Sequence, residues 1–197
     1  MKKLVFAFFL ALMTIGVGAN NVSAQMSNDK MSSGKMSGNP MVGGAAMYKN
    51  KDIIDNAVNS KDHTTLVAAV KAADLVSTLK GTGPFTVFAP TNAAFDMLPA
   101  GTVDTLLMPE NKAMLTKILT YHVVAGNMDA KSIMKAIKKG KGKAMLKTVS
   151  GGMLTATMSG NSVMLTDEKG GMATVTIANV KQSNGVIHVI DHVLMPN

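Results

Sequence analysis

Ile53, Ile54, Ala57 and Val58 recur at the spacing of one helical face, and Leu66, Val67, Val70 and Ala73 repeat that pattern a short distance on. The spacing predicts two helices. Leu75 and Leu79 carry the second one to Gly81, where Gly81, Gly83 and Pro84 break it before a strand over residues 85–89. Pro90, Thr91 and Asn92 then supply a stop and an N-cap for a short helix holding Ala93, Ala94, Phe95 and Leu98. The stripe Met114, Leu115, Ile118 and Leu119 predicts a further helix that runs into Tyr121, His122, Val123 and Val124 and closes at Gly126. After a lysine-rich helix near residues 132–139 the apolar period shortens to two. Strands are expected at 143–149, 153–158, 163–166, 173–180 and 186–194, parted by Gly and Asn turns. Helices followed by a meander of short strands make an α+β class with a mostly antiparallel sheet system.

The chain upstream of Asp52 follows neither period. Residues 1–24 open with Lys2 and Lys3, continue through an apolar run over 4–17, and reach Val22-Ser23-Ala24, the layout of a signal peptide cleaved after Ala24. That run is shorter than the roughly 20 residues a spanning helix needs, so no transmembrane anchor is expected after cleavage. With no Cys near the cleavage site, a lipid anchor is not expected either. Residues 25–48 are rich in Met, Ser, Gly and Asn and read as a flexible linker, which leaves 49–197 as one domain. The linker has one regularity: Met26, Met31, Met36 and Met41 fall at every fifth position, with Met47 close behind. Thioethers are soft ligands that suit Cu(I), so these residues are a candidate metal set; compositional drift in a chain with 18 methionines is the simpler account.

The absence of Cys removes disulfides, thiol catalysis, Fe–S clusters and Cys-rich zinc sites together, so the core alone must carry stability. The formal charge is +8, or +6 once Lys2 and Lys3 are set aside, and every cation is Lys. Without the forked guanidinium of Arg, specific nucleic-acid recognition is not expected, while diffuse attraction to anionic surfaces stays open. The densest basic run, Lys135, Lys138, Lys139, Lys141, Lys143 and Lys147, looks like a solvated helix end and loop.

Three segments carry a family resemblance. They are Gly83-Pro-Phe-Thr-Val-Phe-Ala-Pro-Thr-Asn-Ala-Ala-Phe95 with Leu98 and Pro99, Leu119-Thr-Tyr-His-Val-Val-Ala-Gly126, and Asn184-Gly-Val-Ile-His-Val-Ile-Asp191 with Val193, Leu194 and Pro196. In order and spacing they resemble the signatures of the fasciclin domain family in its single-domain, secreted bacterial form. The resemblance covers about residues 50–197. It implies a fasciclin-like wedge with about seven strands in two packed sheets flanked by helices, and a role in cell adhesion or extracellular and envelope binding.

The residues suggest why the motifs persist as structure. Phe85, Val87 and Phe88 can fill a core strand, Asn92 can cap a helix, and Asn184-Gly185 is a turn pair whose positive φ angles would admit the closing hairpin. His122 is expected to be buried and hydrogen-bonded. In some animal members the Tyr-His segment and nearby Asp-Ile sequences are proposed integrin contacts; Tyr121, His122 and Asp191 match those positions, and the partner is left open.

An enzyme is not expected. His188-Val-Ile-Asp-His192 resembles an inverted zinc-protease motif, but that chemistry needs a helix to stack positions i and i+4. The β-branched run predicts a strand, on which the two imidazoles lie about 13 Å apart. No Gly-x-Ser-x-Gly elbow is present, and Glu110 and Glu168 are the only glutamates. Expected is an exported monomer without cofactor, located in the periplasm, at the cell surface or outside the cell. It would bind a surface polysaccharide, lipid or protein, with Tyr121, His122, Asp191, Lys138, Lys139 and Lys141 as the candidate surface. The alternative is a periplasmic stress or Cu(I)-buffering protein that works through its Met-rich tail.

Overall fold

The computed structural model describes residues 38–197. A small hairpin of β1 (Met41–Val42) and β2 (Ala45–Ala46) opens it, followed by α1 (Ile53–Ala57), α2 (Thr64–Ala72) and α3 (Val76–Leu79). Then come β3 (Phe85–Pro90), α4 (Asn92–Asp96), α5 (Thr102–Leu107), α6 (Lys112–Tyr121), β4 (Val123–Ala125) and α7 (Ala130–Lys139). The remainder is a meander of β5 (Lys143–Lys147), β6 (Met153–Ser159), β7 (Ser162–Thr166), β8 (Met172–Gln182) and β9 (Gly185–Ile190). The class is α+β, as the sequence predicts.

Seven strands bond in the order β4-β3-β9-β8-β7-β6-β5, and β3–β9 is the one parallel pair among them. β8 joins the two halves. Its first residues pair with β7, the rest pair with β9, and register shifts between Val175 and Ile177 and between Ile177 and Val180 bend the sheet there. The two end strands, β4 and β5, meet through a single bridge, Val124↔Thr148, so the sheet almost closes on itself. One apolar core lies between α1, α2, α6 and one side of β3 and β9. The other fills the inside of the sheet, where Ile133 and Ile137 of α7 meet Phe88, Leu154, Leu165 and Ile190.

Several local expectations change. The second predicted helix is two, because Asp74 takes a left-handed conformation (φ 60°) and ends α2 before α3 begins. Thr91, not Asn92, caps α4 by accepting from the Ala94 N–H. Asn92 caps a different helix: its side-chain oxygen accepts from Thr65 N–H at 3.0 Å, at the start of α2. The Asn184-Gly185 pair does not adopt positive φ. Gly185 is required instead for close approach, since a Cβ there would collide with the Phe85 carbonyl. Asn184 is buried and ties three segments together, accepting from Ile53 N–H and donating to the Leu79 and Gly81 carbonyls.

The assignment of residues 25–48 to a linker also needs correction at its downstream end. Val42 and Met47 are buried in the first core, and Lys61 N–H donates to the Gly43 carbonyl at 3.1 Å. Two apolar side chains suffice to dock the hairpin, a signal the Gly- and Ser-rich composition conceals. The signal-peptide assignment and the upstream methionines Met26, Met31 and Met36 lie outside the described residues.

Candidate binding surface

Tyr121 and His122 sit where α6 gives way to β4, and both are inside. Tyr121 is fully buried; its hydroxyl donates to the Met153 carbonyl at 2.8 Å and accepts from Glu168 N–H at 3.1 Å. Burial pushes its pKa up to about 12, with Asp167 and Glu168 nearby adding to the effect. His122 is 3% exposed. Its Nδ1 lies 2.9 Å from the Ile118 carbonyl and its Nε2 accepts from Leu194 N–H at 3.0 Å, which requires the neutral tautomer protonated on Nδ1. Burial lowers its pKa to about 4, against the opposing pull of the Ile118 carbonyl and Asp167. His122 therefore latches the C-terminal segment to α6, Tyr121 ties α6 to the start of β6 and the turn after β7, and neither side chain forms surface. His122→Ala should cost about 1–3 kcal/mol by stranding Ile118 O and Leu194 N–H, measured by denaturant unfolding. Unchanged stability would show that these two hydrogen bonds contribute nothing net to the fold.

Asp191 keeps a partly exposed carboxylate, but its Oδ1 already accepts from Thr174 N–H at 2.7 Å and faces His192 Nδ1 at 2.8 Å. Partial burial opposes its ionisation; the His192 and Thr174 bonds outweigh this and lower its pKa. The two histidines of the His188–His192 segment occupy different environments. His188 is fully buried in β9 with Nε2 2.9 Å from the Met128 carbonyl, whereas His192 follows the strand and is half exposed. The strand that the β-branched run predicts is present but ends at Ile190, so His188 lies on it and His192 beyond it. Of the methionine set, Met41 is exposed, while Met47 just behind it is buried.

The lysines are the fully exposed part of the candidate surface. α7 starts at Asp129, whose carboxylate accepts from Ser132 N–H at 2.8 Å, and Ala130 N–H donates to Asn179 at the bulge of β8. Ile133 and Ile137 point the apolar face inward, which leaves Lys131, Lys135, Lys138 and Lys139 outside. The C-terminal position of Lys138 and Lys139 also suits the helix dipole. Lys141, Lys143 and Lys147 continue the exposed run, and residues 130–149 contain no Asp or Glu.

Beside this face lies a groove of about 490 Å³ between β4, α7 and β5, lined by Val124, Met128, Ala136, Met145, Leu146 and Lys147 among others. Met128 is fixed on both sides: its N–H donates to the buried Thr86 hydroxyl at 2.8 Å, and its carbonyl receives His188 Nε2. Sequence reasoning missed this groove. The alternation of Lys143, Ala144, Met145, Leu146 and Lys147 signals a strand with one polar face, but not that the strand would end the sheet.

The sequence model of the fasciclin domain matches residues 61–196. Protein sll1483 of Synechocystis sp. is 47% identical over 156 residues, which cover 79% of this chain and 79% of that protein. Immunogenic protein MPB70 of Mycobacterium bovis is 41% identical over 145 residues, 71% of this chain and 66% of that one. Cell surface glycolipoprotein MPB83 of the same species is 34% identical over 159 residues, with shares of 78% and 64%. The matched region therefore spans a little under two thirds of each mycobacterial relative. Among solved structures, the FAS1 domain pair of the insect cell adhesion molecule Fasciclin I superposes with a TM-score of 0.65 at 18% identity, over 74% of this chain and 51% of that one. At that identity the likeness is one of fold, and this chain spans about half of the pair.

Proposed function

The chain belongs to the fasciclin domain family, and from that premise we propose that it is an exported, non-catalytic adhesion module that contacts an anionic partner of the cell envelope through the lysine face of α7 and β5. One observation carries the choice of face: seven exposed lysines, Lys131, Lys135, Lys138, Lys139, Lys141, Lys143 and Lys147, stand in a stretch with no carboxylate. A one-sign patch of this kind attracts anionic groups over a Debye length of about 10 Å at 0.1 M salt. Export is supported by the layout of residues 1–24 and by a relative that is named a cell-surface glycolipoprotein. Tyr121 and His122 have no part in the contact, since both are committed to the interior.

Attachment to an anionic surface should weaken severalfold in a Lys138→Gln, Lys139→Gln, Lys141→Gln variant, and wild-type attachment should approach the variant's level at high salt. The measurement is adhesion of wild-type, deletion and variant cells at low and high ionic strength. Undiminished adhesion in the deletion strain would remove the adhesive role. A defect indifferent to salt, with a normal variant, would move the contact to another face.

A further inference from the structure

We propose that the groove between β4 and β5 is a docking slot for an extended acidic polypeptide segment, which adds as a strand along the outer edge of β5. This rests on the reading that the α7–β5 face meets the partner, and it names the partner's chemistry.

The first support is topological. β4 and β5 are the two ends of the seven-strand series, and among the described residues they are joined only by the bridge Val124↔Thr148. Beyond that bridge the strands are separated by the groove. β5 spans five residues, about 16 Å of edge at roughly 3.3 Å per residue. A strand edge presents N–H and C=O groups at the repeat of another polypeptide, which is the requirement for β-augmentation.

The second support is the shape and chemistry of the walls. Val124, Ala136 and Leu146 make an apolar floor, and Met128 is anchored through both its N–H and its carbonyl, so this wall is built before any partner arrives. Lys143, Met145 and Lys147 alternate on the exposed face of β5, and Lys139 lies one turn from Ala136 on α7. The spans of α7, β4 and β5 contain no carboxylate, and Asp129 just ahead of α7 is engaged in capping it. An incoming strand that alternates apolar and acidic residues would place one set on the floor and the other among the lysines. A saccharide could meet the charges, but its hydroxyls do not repeat as N–H and C=O groups at strand spacing, which is why a polypeptide is the favoured occupant.

The test uses the purified chain and a synthetic seven-residue peptide alternating Val and Glu, with binding followed by calorimetry. Three comparisons accompany it: the same peptide N-methylated at alternate amides, a peptide alternating Val and Lys, and polygalacturonate. The acidic peptide should bind, and N-methylation should abolish binding because the edge hydrogen bonds cannot form. A Lys143→Glu, Lys147→Glu variant should lose roughly tenfold in affinity for the acidic peptide and gain it for the basic one. Unchanged melting of the variant confirms that it is folded, and wild-type protein with the N-methylated peptide tests the slot independently of any substitution. Equal binding of the methylated peptide would overturn strand addition, as would an unaltered preference in the variant. Polygalacturonate binding without peptide binding would overturn the slot while leaving the adhesive reading intact. Loss of both ligands would overturn the two together.

Discussion

A chain that begins at Asn50 should be less stable than one that begins at Gly38 by about 3 kcal/mol or more. The shorter chain lacks Val42 and Met47, which are 4% and 2% exposed in the core shared with α1, α2 and α6. Complete burial of an apolar side chain of this size stabilises by roughly 1.5–3 kcal/mol, so their joint loss is a large fraction of the 5–15 kcal/mol typical of a domain. The backbone bonds from Met47 to Pro40 and from Lys61 to Gly43 disappear with them, as does the bond from Tyr48 N–H to Asn56. Urea unfolding of both truncations measures the difference. Equal midpoints would show that the hairpin only rests on the domain, and the boundary would return to residue 49.

Acidification from pH 7 to pH 4 should cost about 3 kcal/mol through His122 alone. Its folded pKa is about 4 against an unfolded value near 6.5, and each unit of difference is worth about 1.4 kcal/mol. Between those values the unfolded chain binds the proton and the folded chain does not, so stability rises with pH. The contribution is complete above about 6.5 and is lost as pH falls toward about 4. Burial lowers the pKa of His63 and His188 as well, which adds loss of the same sign. The carboxylates with lowered pKa, Asp52, Asp129, Glu168 and Asp191, titrate in the unfolded chain near 4, so their contributions are lost mainly at still lower pH. Unfolding free energies at pH 7, 5.5 and 4 should therefore fall steadily, and His122→Gln should flatten the slope even though it begins less stable. An identical slope in the variant would place the sensitivity elsewhere.

Much of this architecture was legible in the residue order. The 3.6-residue period of Leu66, Val70 and Ala73 and of Leu115, Ile118 and Leu119 marks α2 and α6, and the alternation after Lys143 marks the meander, because those patterns depend only on which face of a local element is buried. The three signature segments were enough to identify the family. Helix α5 was harder to see, since six residues with two exposed positions in the middle provide too little of a period.

Within the candidate surface, exposure was legible from sequence for the lysines. Lys138, Lys139 and Lys141 could be placed outside from sequence because a strongly charged run beside glycines has no way to be buried cheaply. Tyr121 carries an equally polar label and went the other way, while His122 is buried and hydrogen-bonded, as its sequence context predicts. Each found hydrogen-bond partners from distant segments, Met153 and Glu168 for the tyrosine and Leu194 for the histidine, and a satisfied polar group can be buried at little cost.

Sequence by itself thus determined the type of most elements, the family and the sign of the exposed charge, all of which follow from local pattern and composition. Tertiary structure decided the quantities that depend on non-local pairing. It put Asn92 at the head of α2 and Gly185 against the Phe85 carbonyl, and it drew Val42 and Met47 into the core. It also left β4 and β5 as the two ends of a nearly closed sheet, joined by one bridge. Each of these depends on which segments meet across tens of residues, and the free energy of such a contact resides in the pair of surfaces, so neither segment carries a sign of it alone.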